Sequence, residues 1–99
     1  MHYHFNWDPA KEKVNRTKHR ITFHRAANVF RDPNHLTIFD EGHSDEEKRW
    51  ITMGVDQTGI LCVVSHTAEE LEEEHYQIRI ISARKAELPE VRQYQESNL

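Results

Sequence analysis

Aromatic and polar residues alternate at the start of the chain, with Tyr3, Phe5 and Trp7 separated by His4 and Asn6. A period of two predicts a short strand over 3–7 with one covered face. Asp8-Pro9 then opens a helix, because aspartate caps a helix start and proline suits its first position. This helix runs to about His19, with Ala10, Val14 and Thr17 on its apolar side. A second helix takes Thr22 as N-cap. Phe23, Ala26, Ala27 and Phe30 follow at i, i+3, i+4 and i+7, which is one buried stripe. Asp32-Pro33 ends it, since the residue before proline is pushed out of helical geometry.

The remainder has the shorter period of strands. Leu36–Asp40 reads as one, and Arg49–Asp56 and Ile60–Thr67 flank a hairpin turn at Gln57-Thr58-Gly59. Ile60 to Val64 is apolar at every position, which predicts a central strand covered on both faces. Tyr76–Ser82 is the last strand, and a helix over about Pro89–Glu96 closes the chain. The order β-α-α-β-β-β-β-α predicts an α+β domain: a mostly antiparallel sheet of four to five strands, two N-terminal helices and a C-terminal helix.

Ninety-nine residues without a repeat or linker predict a single domain spanning 1–99. No apolar run is long enough for a membrane helix, and Met1–Phe5 lacks the apolar stretch of a secretory signal. With one cysteine, Cys62, the expected location is the cytoplasm. Cys62 lies in an apolar run and is expected to be an inert buried thiol. The net charge is −4, which by itself disfavours a nucleic-acid ligand. Distribution changes that picture. Residues 1–31 carry seven basic side chains and two acidic ones, and the acid is gathered in Asp40–Glu47 and Glu69–Glu74. Both acidic runs read as solvated loops, leaving a basic face elsewhere.

Phe5-Asn6-Trp7-Asp8-Pro9, Lys11, Asn15, Lys18-His19 and Phe23…Ala26-Ala27…Phe30…Asp32-Pro33 together resemble the opening of BrnT toxins. Arg49, Gly54 and His66-Thr67 fit the middle of that family. Ile78-Arg79-Ile80-Ile81-Ser82-Ala83-Arg84-Lys85-Ala86, with Glu90 and Tyr94, resembles its close. The resemblance implies a RelE-like fold and a type II toxin. It implies a metal-independent endoribonuclease that halts translation, needs no cofactor and is neutralised by a ribbon-helix-helix antitoxin, BrnA, in a hetero-oligomer. Three positions depart from the pattern. Arg20 replaces the usual glycine after Lys-His, Arg25 replaces an acidic residue that would complete a capping box, and Ala68 follows Thr67 where arginine is frequent.

Metal-free RNA cleavage needs a base for the 2′-hydroxyl, an acid for the leaving 5′-oxygen and cations for the phosphorane charge. Asn15, Lys18 and His19 share one polar helix face by their i, i+3, i+4 spacing. Gln77 and Arg79 point away from Ile78 and Ile80 along the last strand. With the resemblance, the expected catalytic set is His19, Lys18, Arg49, Arg79 and Arg84, and the expected RNA contacts are Lys11, Asn15, Lys18 and Arg79. Residue by residue, simpler roles compete. A strand arginine can be a solvated ion-pair partner, His19 a helix C-cap, His66 a satisfied half-buried histidine, and Tyr94 a packing residue. His2 and His4 share a strand face without zinc-ligand spacing, so no metal is expected. Two other functions fit the same residues: an inactive homologue acting as an antitoxin-binding co-regulator, and an RNA binder that does not cleave.

Overall fold

The computed structural model describes residues 1–99. Strand β1 (His2–Trp7) leads into α1 (Pro9–His19) and α2 (Phe23–Asn28), which is extended by a 3-10 turn over Val29–Arg31. Strands β2 (Leu36–Phe39), β3 (Trp50–Val55), β4 (Leu61–Glu72) and β5 (His75–Lys85) follow, and α3 (Leu88–Ser97) ends the chain. The five strands form one sheet in the order β1-β5-β4-β3-β2. It is mixed: β2–β3, β3–β4 and β4–β5 are antiparallel, while β1 returns to lie parallel beside β5.

The core lies on one face of this sheet. Ile21, Phe23, Ala26, Val29 and Phe30 pack on Cys62, Val64, Ile78, Ile80 and Ala83, with Tyr3, Phe5 and Trp7 alongside. The predicted stripe of α2 is therefore the buried one. β4 is the central strand, and Cys62, Val63 and Val64 are all buried, so both of its faces are covered there. Gly54 sits where β3 passes under the 3-10 turn. A Cβ there would stand 2.9 Å from Val29 Cγ1 and 3.1 Å from the Val29 carbonyl oxygen.

Helix α1 is turned differently from the sequence expectation. Val14 is exposed, and the buried residue is Asn15. β1 stops at Trp7, opposite Ile80, so the edge of β5 beyond that point has no neighbouring strand. The Asn15 side chain fills the gap: its amide donates to the Ala83 carbonyl at 2.9 Å, and its oxygen accepts from Ala83 N–H at 3.1 Å. It also donates to the Ile21 carbonyl at 3.2 Å. A side-chain amide thus does what a strand backbone would do, and it sets the roll of the helix. Asn15 is therefore a structural residue, and its expected role as an RNA contact is revised.

Two of the three departures, Arg20 and Arg25, have local counterparts in the structure. Arg20 takes the left-handed cap conformation (φ 58°) that ordinarily favours glycine. Without an acid at position 25, Glu12 of α1 accepts the Phe23 N–H at 3.0 Å, while Thr22 accepts the Arg25 N–H at 3.1 Å. The freed Arg25 side chain reaches buried Asp56 at 2.7 Å.

The Glu69–Glu74 run is not a loop. β4 continues to Glu72 and pairs with His75–Ile78 of β5, leaving Glu73-Glu74 at the turn. Backbone pairing with β5 satisfies this arm while its carboxylates remain in water.

Candidate active site

The face of the sheet opposite the core carries the candidate chemistry, and a break in register builds it. Ser65 pairs with Ser82, but the next residue, His66, pairs with Ile80, so Ile81 is an extra residue in β5. Such a bulge reverses the side-chain parity of one strand. Arg79 and Arg84 are five apart and would face opposite ways along a regular strand. With the bulge, Arg79 stands opposite Thr67, Ser82 opposite Ser65 and Arg84 opposite Val63, all on one face. Arg49 precedes Ile51 and Met53, whose partners Ser65 and Val63 lie on this same face. Arg49, Arg79 and Arg84 thus share a surface.

A loop closes over them. Asp40 N–H donates to the Arg49 carbonyl at 2.9 Å. The Ser44 hydroxyl donates to the Asp40 carbonyl at 2.5 Å and accepts the Arg49 N–H at 3.0 Å. This frame brings Glu47 between two arginines: its Oε1 lies 2.5 Å from Arg79 and 3.7 Å from Arg49. The Glu47 carboxyl is held below the usual carboxylate range, chiefly by its hydrogen bond to Arg79, with help from the charges of Arg79, Arg49 and Lys11. Lys11 brings the α1 face into the same electrostatic neighbourhood. The Asp40–Glu47 run is therefore not a freely solvated loop, because the cations on the sheet recruit one of its carboxylates. Arg49 Nε is buried without a partner. Arg84 is engaged elsewhere, donating from both terminal nitrogens to Glu90 of α3 at 2.8 Å each.

Two concavities adjoin on this side of the molecule. One, about 470 Å³, lies along α1 and is lined by Lys11, Asn15, Lys18 and His19. The other, about 360 Å³, is lined by Asp40, His43, Arg49, Ser65 and Arg84. Ile81 and Ser82 form part of both walls. Lys11, Lys18 and His19 of the helix and Arg49 and Arg84 of the sheet side accordingly line adjoining concavities, and Arg79 lies outside both linings. The sequence does not single out the histidine that joins them from the loop, His43. It lies in an acidic run that reads as solvent-exposed, and only loop closure carries it to the arginines.

Three further titratable groups are structural. His66 is 1 % exposed; its Nδ1 donates to the Thr67 carbonyl at 2.9 Å, and its Nε2 accepts from the Thr52 hydroxyl at 2.7 Å. Burial pushes its pKa down, so it is a neutral, satisfied histidine. The Cys62 thiol is pushed up to about 11 by burial and by Asp56 beside it, which makes it a poor nucleophile. Tyr94 donates to Asp32 at 2.5 Å and is raised to about 12 by burial and that bond.

The result is a small α+β domain with arginines grouped on one sheet face beside the basic face of α1. Residues 7–90 match the family described as ribonuclease toxin, BrnT, of type II toxin-antitoxin systems, and the chain belongs to that family. The crystal structure of the Brucella abortus ribonuclease toxin BrnT has a similar fold. The TM-score is 0.63 at 18 % identity, over 88 % of this chain and 99 % of that one. No curated protein sequence matches the chain. No helix is long and apolar enough to cross a membrane.

Proposed function

We propose that this toxin cleaves RNA without a metal ion at the surface bounded by Lys18 and His19 of α1 and by Arg49, Arg79 and Arg84 of the sheet. The observation that carries the reading is the Glu47 carboxylate held between Arg79 and Arg49. A pair of guanidinium groups that binds a carboxylate also suits a phosphate oxygen, since planar forks donate to both. In this reading Arg49 and Arg79 hold the scissile phosphate and Arg84 stabilises the charge that develops on it. Lys18 adds a further cation, His19 exchanges protons, and Lys11 contacts the RNA backbone. The fold is RelE-like, the consequence of cleavage is arrest of translation, and the site of action is the cytoplasm. A BrnA-like ribbon-helix-helix antitoxin neutralises the toxin in a hetero-oligomer by covering the basic helix face.

The test is cleavage of RNA by purified protein in EDTA, with His19→Ala and Arg79→Ala as variants. Loss of cleavage in both supports the assignment. Full activity in both removes it.

A second reading has one observation in its favour. Every arginine of the site has a carboxylate nearby, Glu47 for Arg49 and Arg79 and Glu90 for Arg84. An inactive homologue that serves as antitoxin-binding co-regulator would keep such internal pairs. Tight antitoxin binding with no cleavage by folded protein distinguishes it.

A further inference from the structure

We infer that His43, held by Asp40, is the general base of this site and works opposite His19, which is the general acid. The inference rests on the proposed ribonuclease reading. It supplies what that reading lacks, because one imidazole cannot take the 2′-hydroxyl proton and donate to the 5′-oxygen in the same step.

His43 Nδ1 lies 3.0 Å from Asp40 Oδ2 and 3.2 Å from Oδ1. A carboxylate only accepts, so Nδ1 is the donor, and the neutral imidazole is the tautomer whose Nε2 carries the lone pair. A carboxylate that fixes the tautomer and orientation of an imidazole is the arrangement that makes a base of it. Asp40 is itself anchored, since its backbone N–H and carbonyl join the Arg49 carbonyl and the Ser44 hydroxyl. The His43 side chain is 71 % exposed, so it contributes little to the core. It nevertheless lines the same concavity as Arg49, Ser65 and Arg84. His19 lines the adjoining concavity, and Ile81 and Ser82 separate the two. A phosphodiester lying over Ser82 has His43, Arg49 and Arg84 on one side and His19 and Lys18 on the other.

The step balances without any further reactant. His43 Nε2 takes the 2′-hydroxyl proton as that oxygen bonds to phosphorus. The P–O5′ bond breaks, and the leaving oxygen takes a proton from the His19 imidazolium. The products are a 2′,3′-cyclic phosphate and a 5′-hydroxyl, and the two histidines have exchanged protonation states. Charged neighbours of His43 are Asp40 on its own turn, Arg49 at the start of β3 and Arg84 on β5 with its partner Glu90 on α3. Those of His19 are Lys18 and Lys11 along α1.

The experiment uses the full chain and two substrates, a plain oligoribonucleotide and one whose scissile 5′-oxygen is replaced by sulfur. A thiolate leaves without a proton, so the second substrate needs a base and no acid. On the plain substrate, His43→Ala and His19→Ala each lower kcat/KM by about 10²–10⁴-fold. On the sulfur substrate, His19→Ala regains activity and His43→Ala stays impaired. Asp40→Asn loses less than His43→Ala and, like it, is not restored by the sulfur. Cleavage of the plain substrate by His43→Ala at the wild-type rate overturns this inference while leaving the ribonuclease reading intact. So does restoration of His43→Ala by the sulfur substrate. No cleavage by the wild-type protein in EDTA overturns both.

Discussion

Glu47 and Asp56 are the two carboxylates whose surroundings matter most, and for opposite reasons. Glu47 lies at the surface, and its two arginine partners are the groups proposed to hold phosphate. An incoming phosphate must displace it, so Glu47→Gln is expected to tighten binding of a non-cleavable oligoribonucleotide several-fold, measured by fluorescence titration at fixed salt. Unchanged or weaker binding would show that Glu47 does not compete with the ligand. Asp56 is buried and serves the fold. Its Oδ1 accepts from Thr58 N–H at 2.8 Å, the Thr58 hydroxyl at 2.7 Å and Ile60 N–H at 3.1 Å, and its Oδ2 meets Arg25. Burial alone would raise its pKa, but these bonds together bring it down to about 2 from 3.8. A depressed carboxylate stabilises the fold above its unfolded pKa and ceases to do so as pH falls through the folded one. About 2 kcal/mol is therefore expected to disappear between about pH 4 and pH 2. Acid unfolding of Asp56→Asn should lack that component, and a wild-type acid transition in the variant would contradict it.

Among the elements, α1 and β3 each depend on one residue whose importance the hydrophobic pattern does not reveal. Asn15 joins α1 to the open edge of β5, and Asn15→Ala would leave the Ala83 N–H and carbonyl without partners. A loss of about 1–3 kcal/mol is expected in denaturant unfolding. Hydrogen exchange at Ala83 should also speed up more than exchange at Val64. Equal acceleration at both would mean that Asn15 acts only through global stability. At Gly54, an alanine Cβ meets the Val29 backbone as well as its side chain, so the 3-10 turn must move. Gly54→Ala is expected to cost about 1–3 kcal/mol, with a lower Tm. Both helix starts of the N-terminal half were legible from Asp8-Pro9 and Thr22, because capping is a local property of two or three residues. The roll of α1 was not. Ala10, Val14 and Thr17 form a weak stripe, and one buried amide outweighs it once β1 has ended short of Ala83.

For the molecule as a whole, the basic face of α1 and the cationic sheet face adjoin at Ile81 and Ser82, whereas the acidic β4–β5 turn lies at the other end of β5. The α+β class, the number of strands and the covered central strand follow from patterns a few residues long, since periodicity and turn chemistry act locally. The placement of β1 beside β5 does not, because it pairs residues about 73 apart in the chain. Of the candidate site, the residue types and the basic helix face were readable from the sequence, and the motif around Arg79 and Arg84 carried the family. Tertiary structure alone decided that Arg79 and Arg84 share a face, because the extra residue at Ile81 depends on pairing with β4. It also decided that Asn15 turns inward, and that Glu47 and His43 arrive at the arginines on a loop closed by Asp40, Ser44 and Arg49. A sequence specifies which groups are available and the local geometry of each. Their convergence is fixed by contacts between segments far apart in the chain, where a single bulge or a single buried amide decides which way a side chain points.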